Sequence, residues 1–126
     1  MQTSPHSHKK VRRFCQTLDL KNDIVLINKY KHYHSKEGFW PEIGMFLKAC
    51  GIENMEIYIY RTRLFTLMEV NESYTEERLE ELKKQHPKDA EWQSLMLSFQ
   101  RLLPESTDDQ RWIEMEKIFD LNEMME

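Results

Sequence analysis

No apolar run in this chain approaches the roughly 18 residues that a membrane-spanning helix requires, so no transmembrane segment is expected. Cysteine is scarce. Cys15 and Cys50 stand far apart, with neither metal-ligand spacing nor the makings of a disulfide framework. Both thiols are expected to be free, small core hydrophobes in a reducing cytoplasm. The three glycines and four prolines mark element ends rather than linkers, and no internal repeat is visible. Blocks of one charge are also missing. The net charge of −4 is spread over interspersed acids and bases, which argues against nucleic acid or an anionic membrane as partner. The opening MQTSPHSHKK has basic residues but no apolar stretch behind them, so it does not read as a secretory signal. Residues 1–11 are expected to be a disordered tail whose His6 and His8 are incidental, and 12–126 a single domain.

The richest stretch is YKHYHSKEGFWPE, residues 30–42, with two Tyr, two His and a Trp between two apolar-periodic segments. On a helix, Tyr30 and His34 lie four apart on one face, about 5–6 Å between Cβ atoms. A phenol and an imidazole so placed can reach one small substrate, and imidazole exchanges protons near neutral pH. A structural reading competes, since helix ends attract His and core rims attract Tyr. On residue chemistry alone that structural reading is the stronger. His32 and Tyr33 point away from the Tyr30–His34 face and read as bystanders.

In chain order, RFCQTLDL alternates as a strand, and Asn22 or Asp23 caps a helix ending near His34 or Ser35. Trp40-Pro41-Glu42 opens a second helix that Gly51 stops. Residues 55–60 and 64–70 form a hairpin through 61–63. Met55, Ile57 and Ile59 face one way, and Tyr58 and Tyr60 the other. Leu64, Met68 and Val70 likewise oppose Phe65 and Leu67. A two-layer domain has helices for only one sheet face, so the second needs another cover. Ser73 with Glu76 reads as a capping box, Asp89 as the cap of the next helix, and Pro104 as its end. Residues 112–121, WIEMEKIFDL, fit helix or strand; as a closing strand they complete a ferredoxin-like βαββαβ α+β domain.

With these residues in place, the chain resembles the L-rhamnose mutarotase family. The resemblance runs in order through CQTLDL, Tyr30 with His34, WPE at 40–42, GIENMEIY, RLFTLMEV, EWQSLM around Trp92 and RWIEMEKIFDL. It implies a dimeric α+β barrel in which two subunits pack sheet to sheet, consistent with the two-faced strands. It also implies interconversion of the anomers of a 6-deoxy-hexose, L-rhamnose first, with no cofactor and no metal. Position by position, His34 matches the acid/base histidine and Tyr30 the tyrosine one turn before it. Trp92, or alternatively Leu97, falls among the sugar-contacting tryptophans. Three departures stand out. The 34–40 loop is longer than in the enteric rhamnose enzymes, Met55 replaces their sugar-contacting tyrosine, and Arg61 stands where many relatives have glycine. The first two point toward the branch associated with L-fucose as well as L-rhamnose.

Mutarotation takes a proton from the anomeric hydroxyl and delivers one to the ring oxygen. His34 suits that exchange, whereas Tyr30 is better as orienter or donor than as base. Trp92 can lie against the apolar face of a deoxy-sugar. Trp40 is a plug at a helix start close enough to touch ligand, and Tyr58 either adds a polar contact or serves the sheet face and dimer. The expected partners are thus a monosaccharide and a second copy of the chain. The same scaffold also supports two other readings, a monooxygenase and a non-catalytic ligand-binding module.

Overall fold

The computed structural model describes residues 11–126, so the expected tail lies outside the described residues except for Val11. The elements are β1 (Arg12–Leu20), α1 (Ile24–Tyr33), α2 (Pro41–Ala49), β2 (Ile52–Tyr60), β3 (Arg63–Val70), α3 (Glu76–Lys84), α4 (Pro87–Leu97), β4 (Gln100–Arg101), β5 (Ile113–Glu114) and α5 (Leu121–Met124). All strand pairs are antiparallel. The order is β2-β3-β1-β4, with β5 on the same edge of β1 as β4.

Period-two alternation decides which side chains meet the helices. Leu18 pairs with Leu64, which pairs with Ile59, and their face packs under α1, α2 and α4. Leu20, Ile27, Tyr30, Ile43, Leu64, Trp92, Met96 and Phe99 form that core. A second cluster of Ile52, Met68, Val70 and Tyr74 sits at the other end, with Leu79 of α3 against it. Each large side chain buried in this way stabilises the fold by about 1.5–3 kcal/mol. The opposite sheet face carries Tyr58, Tyr60 and Phe65, all exposed.

Local chemistry ends the elements. Asp23 caps α1, accepting from the backbone N–H groups of Val25 and Leu26. Pro41 occupies the first turn of α2, where no N–H is needed, and Gly51 follows it at φ 96°, a region costly for any side chain. A Cβ there would also lie 2.6 Å from Ser73 Oγ. Asp19 ties three strands together: it faces Arg63 and Arg101 in register and binds them at 2.6 and 3.0 Å.

Several sequence expectations are corrected. The dimeric α+β barrel is replaced by an open sheet, because β2 is a free edge and the other edge of β1 holds only the two-residue strands β4 and β5. The closing strand expected over 112–121 pairs only at Ile113 and Glu114, so the ferredoxin-like unit lacks its long last strand. Beyond Met115 the chain leaves the sheet, Ile118 is 88% exposed, and Asp120 caps the short α5. Thr75, not Ser73, caps α3, because the Asn71 side chain already holds Ser73 in a local turn. His86 caps α4 by accepting from Asp89 N–H at 2.9 Å, while Asp89 itself is buried and accepts from Gln93. That helix stops at Leu97, well before Pro104, and the residues after it become β4.

Candidate active site

The last turn of α1 tightens: His34 N–H donates to the Lys31 carbonyl rather than to Tyr30. The Tyr30 carbonyl is thereby left for the His34 ring, whose Nδ1 lies 2.7 Å from it. A carbonyl only accepts, so Nδ1 carries the proton and Nε2 is left with its lone pair. Among the described residues Nε2 has no partner. The two rings stack at 4.3 Å between centroids, and His34 is exposed on its outer side. Burial against its neighbours pushes the imidazole pKa below its ordinary value, partly offset by the Tyr30 carbonyl. The ring is therefore neutral at pH 7 and equipped to accept a proton.

Trp92 of α4 is the hub of an aromatic wall. His34, Tyr33, Phe39 and Trp40 all approach it within 5.1–6.3 Å, with steep interplanar angles from 67° to 89°. Trp92 is only 6% exposed, so its indole contributes chiefly by holding the wall together. Trp40 is half-buried at the start of α2, with the Lys88 ammonium 4.7 Å from its ring centroid. Its expected plug position is therefore found, on the rim of the same wall. Tyr33, read as a bystander, packs on both Trp92 and Phe99, because residues three apart share a helix face and it continues the buried stripe of Ile27 and Tyr30. His32 remains exposed beside it.

Tyr30 is buried against Phe99, and this burial pushes its phenol up to about 12. A hydrogen bond from the Gln100 side chain and the positive charge of Arg111 pull the other way. Gln93, Gln100 and Arg111 complete a polar cluster behind the phenol that sequence reasoning missed. The helical spacing that runs to Pro104 includes Gln100, and Arg111 falls between the expected loop and the segment 112–121. No local signal marks Gln100, which sits in SFQRLL beside the equally polar Ser98 and Arg101.

The structure thus brings together Tyr30, His34, Trp92 and Trp40. Tyr58 is not among them: it projects from the opposite face of the sheet, where its hydroxyl donates to Glu56 at 2.9 Å. That bond and the nearby carboxylate raise the Tyr58 pKa. Met55 packs against the second core cluster and Leu97 is exposed, so neither joins the wall. A groove of about 430 Å³ along Arg12, Phe14 and Tyr74 shares no residue with this cluster. Among the described residues, no group of three or more His, Cys, Asp or Glu is arranged to hold a metal ion. No helix among them is long and apolar enough to cross a membrane.

A family model described as L-rhamnose mutarotase matches residues 13–121. An L-fucose mutarotase of Xanthomonas campestris is 35% identical over 113 residues, covering 90% of each chain. A UPF0734 protein of Dictyostelium discoideum is 32% identical over 115 residues, covering 88% of this chain and 90% of its own. Among solved structures, an L-rhamnose mutarotase of Formosa agariphila shares the fold with a TM-score of 0.60. It is 23% identical, and the match covers 86% of this chain and 97% of that one.

Proposed function

The chain belongs to the L-rhamnose mutarotase family and is a sugar mutarotase, an isomerase of the aldose 1-epimerase type that interconverts anomers; on that premise we propose that its substrate is a 6-deoxy-L-hexose, L-fucose foremost. The choice of L-fucose is supported by the 35% identical relative that bears its name. L-Rhamnose is the second reading, favoured by the description of the family model.

The assignment of roles rests on one observation: a neutral imidazole whose Nε2 is partnerless beside a phenol that stays protonated. His34 Nε2 takes the proton of the anomeric hydroxyl. The bond between the anomeric carbon and the ring oxygen breaks, its electron pair goes to the ring oxygen, and Tyr30 supplies the proton there. A leaving alkoxide is more basic than a phenolate, so even a phenol at about 12 is a competent donor. The aldehyde then rotates, and closure on its other face returns both protons. A positioned acid or base of this kind contributes about 10²–10⁴-fold. Trp40 and Trp92 form the apolar wall for the sugar's methyl group. Tyr58, on the far face, serves contacts between subunits.

In the same reading the chain forms a homodimer through the open sheet face, supported by exposed Tyr58, Tyr60 and Phe65. It works in the cytoplasm, a compartment suited to the free thiols Cys15 and Cys50. Saturation-transfer NMR on L-fucose and L-rhamnose tests the substrate. Faster enzyme-driven exchange for L-rhamnose than for L-fucose would transfer the assignment to the second sugar. Sedimentation equilibrium tests the dimer, and a single-chain mass would refute it.

A further inference from the structure

Trp92 is 6% exposed, so a ligand at the aromatic wall meets the rings that cover the indole more than the indole itself. One of those rings has no role in the assignments above. Phe39 is half-buried and meets Trp92 edge to face, 5.5 Å between centroids at 89°. It stands five residues after His34, whose ring lies 5.7 Å from the same indole. The chain between them folds back on itself. Phe39 N–H donates to the Ser35 carbonyl at 2.9 Å, and Gly38 N–H donates to the same carbonyl at 3.2 Å. Ser35 Oγ in turn donates to the His32 carbonyl at 2.6 Å and accepts from Gly38 N–H at 3.2 Å. One short, internally bonded loop thus carries both rings to a single indole.

The opposite side of the Phe39 ring is shaped by an absence. Gly44 lies inside α2, where glycine is less favourable than any residue except proline. A Cβ at this position would lie 3.1 Å from Phe39 Cε2 and 3.7 Å from Phe39 Cζ, and among the described residues it would meet nothing else that closely. The space that the missing methyl leaves is therefore filled by one side chain. Phe39 sits between the backbone of α2 and the Trp92 indole, held on both sides, with part of its ring still open to solvent.

We propose that Phe39, seated on Gly44, is a specificity-determining residue whose ring receives the C6 methyl group of the sugar. This rests on the 6-deoxy-L-hexose reading and says how the chain recognises that class. In a pyranose the anomeric carbon and C5, which bears C6, are the two carbons bonded to the ring oxygen. A group serving the anomeric hydroxyl and a group receiving the methyl must then be close neighbours, as His34 and Phe39 are on Trp92. A phenyl ring has neither donor nor acceptor for a hydroxyl. A methyl group gains by leaving water against it, whereas a C6 hydroxyl would lose its water partners without replacement. Phe39 takes no part in the proton transfers.

The test uses the full-length protein and two sugars that differ only by a hydroxyl on C6, L-fucose and L-galactose. If L-rhamnose proves the better substrate, the pair is L-rhamnose and L-mannose. Exchange NMR gives kcat/KM for each sugar, and the native enzyme should favour the deoxy sugar by about tenfold or more. Phe39→Ala should lower that ratio by about fivefold or more, and Phe39→Leu, apolar and closer in volume, should keep most of it. Gly44→Ala crowds the ring and should lower the ratio less, with no effect on it in a Phe39→Ala background. A merely structural role would slow both sugars alike and leave the ratio where it was. An unchanged ratio in folded Phe39→Ala overturns the proposal and leaves the 6-deoxy-hexose reading standing. A Gly44→Ala effect on the ratio that persists without the Phe39 ring overturns the seat. A native enzyme that favours neither deoxy sugar over its C6-hydroxyl counterpart refutes the 6-deoxy-hexose reading, and the proposal falls with it.

Discussion

His34 Nδ1 and the Tyr30 carbonyl oxygen stand 2.7 Å apart, one helical turn from residue to residue, and that contact selects which imidazole nitrogen is a base. The helix provides it by failing to close its last turn in the α pattern, since His34 N–H goes to Lys31 instead. Ring and carbonyl belong to one short segment, so the tautomer does not depend on distant packing. What distant packing adds is the low pKa, through burial against Tyr30 and Trp92.

Replacing His34 by Asn should leave the fold intact, because the side chain lies at an exposed helix end. Enzyme-driven anomer exchange should fall by about 10²-fold or more. Tyr30→Phe should cost less, since the ring stack persists and water can deliver a proton poorly. NMR exchange rates, compared at unchanged circular dichroism, check both. Native exchange by a folded His34→Asn protein would end the assignment.

The pH profile of kcat/KM should rise from acid pH with its midpoint below the ordinary imidazole value of about 6.5. The sign follows from the lowered pKa: the base form of His34 already dominates at neutral pH and is lost only on acidification through that lower value. A profile still rising steeply above pH 7 would contradict a depressed His34 pKa.

Stability should weaken in acid through Asp19. Burial would raise its pKa, but Arg63 and Arg101 together hold it below the ordinary carboxylate value. A depressed carboxyl pKa stabilises the fold fully above the unfolded value of about 3.9, and that contribution disappears as pH falls through the folded value. Asp19→Asn should cost about 1–2 kcal/mol at pH 7, a figure held down because the guanidinium partners are 48% and 63% exposed. Urea midpoints of the two proteins should converge below pH 4; a constant gap would remove Asp19 from the linkage.

Arg61 has φ 56°, the left-handed region in which an L-residue is strained by about 1 kcal/mol. It is the first residue of the two-residue turn between β2 and β3. Its guanidinium over the Tyr60 ring, 5.6 Å from the centroid, is an exposed and weak compensation. Arg61→Gly should raise stability by up to about 1 kcal/mol, read from the urea midpoint at unchanged slope. A lowered midpoint would mean that the Tyr60 contact outweighs the strain.

The sequence by itself determined what depends on neighbours along the chain. Asp23 caps α1 with its own carboxylate, Pro41 starts α2, and alternation along β2 and β3 sorts Ile57 from Tyr58. Tyr30 and His34 were legible as a pair because a helical turn places i and i+4 together whatever the rest of the fold does. Caps chosen between nearby polar residues were less legible: Thr75 and His86 replaced Ser73 and Asp89 because Asn71 and Gln93 compete for the latter two. Only the tertiary structure decided how the C-terminal third is used. Residues 112–121 satisfy helix and strand propensity alike, and just two of them find a free stretch of the β1 edge, so the sheet stays open. Tyr58 left the site because it and the helices lie on opposite sheet faces. Gln100 and Arg111 entered it because long-range packing carries β4 and the 102–112 loop behind Tyr30, a placement that no local spacing encodes.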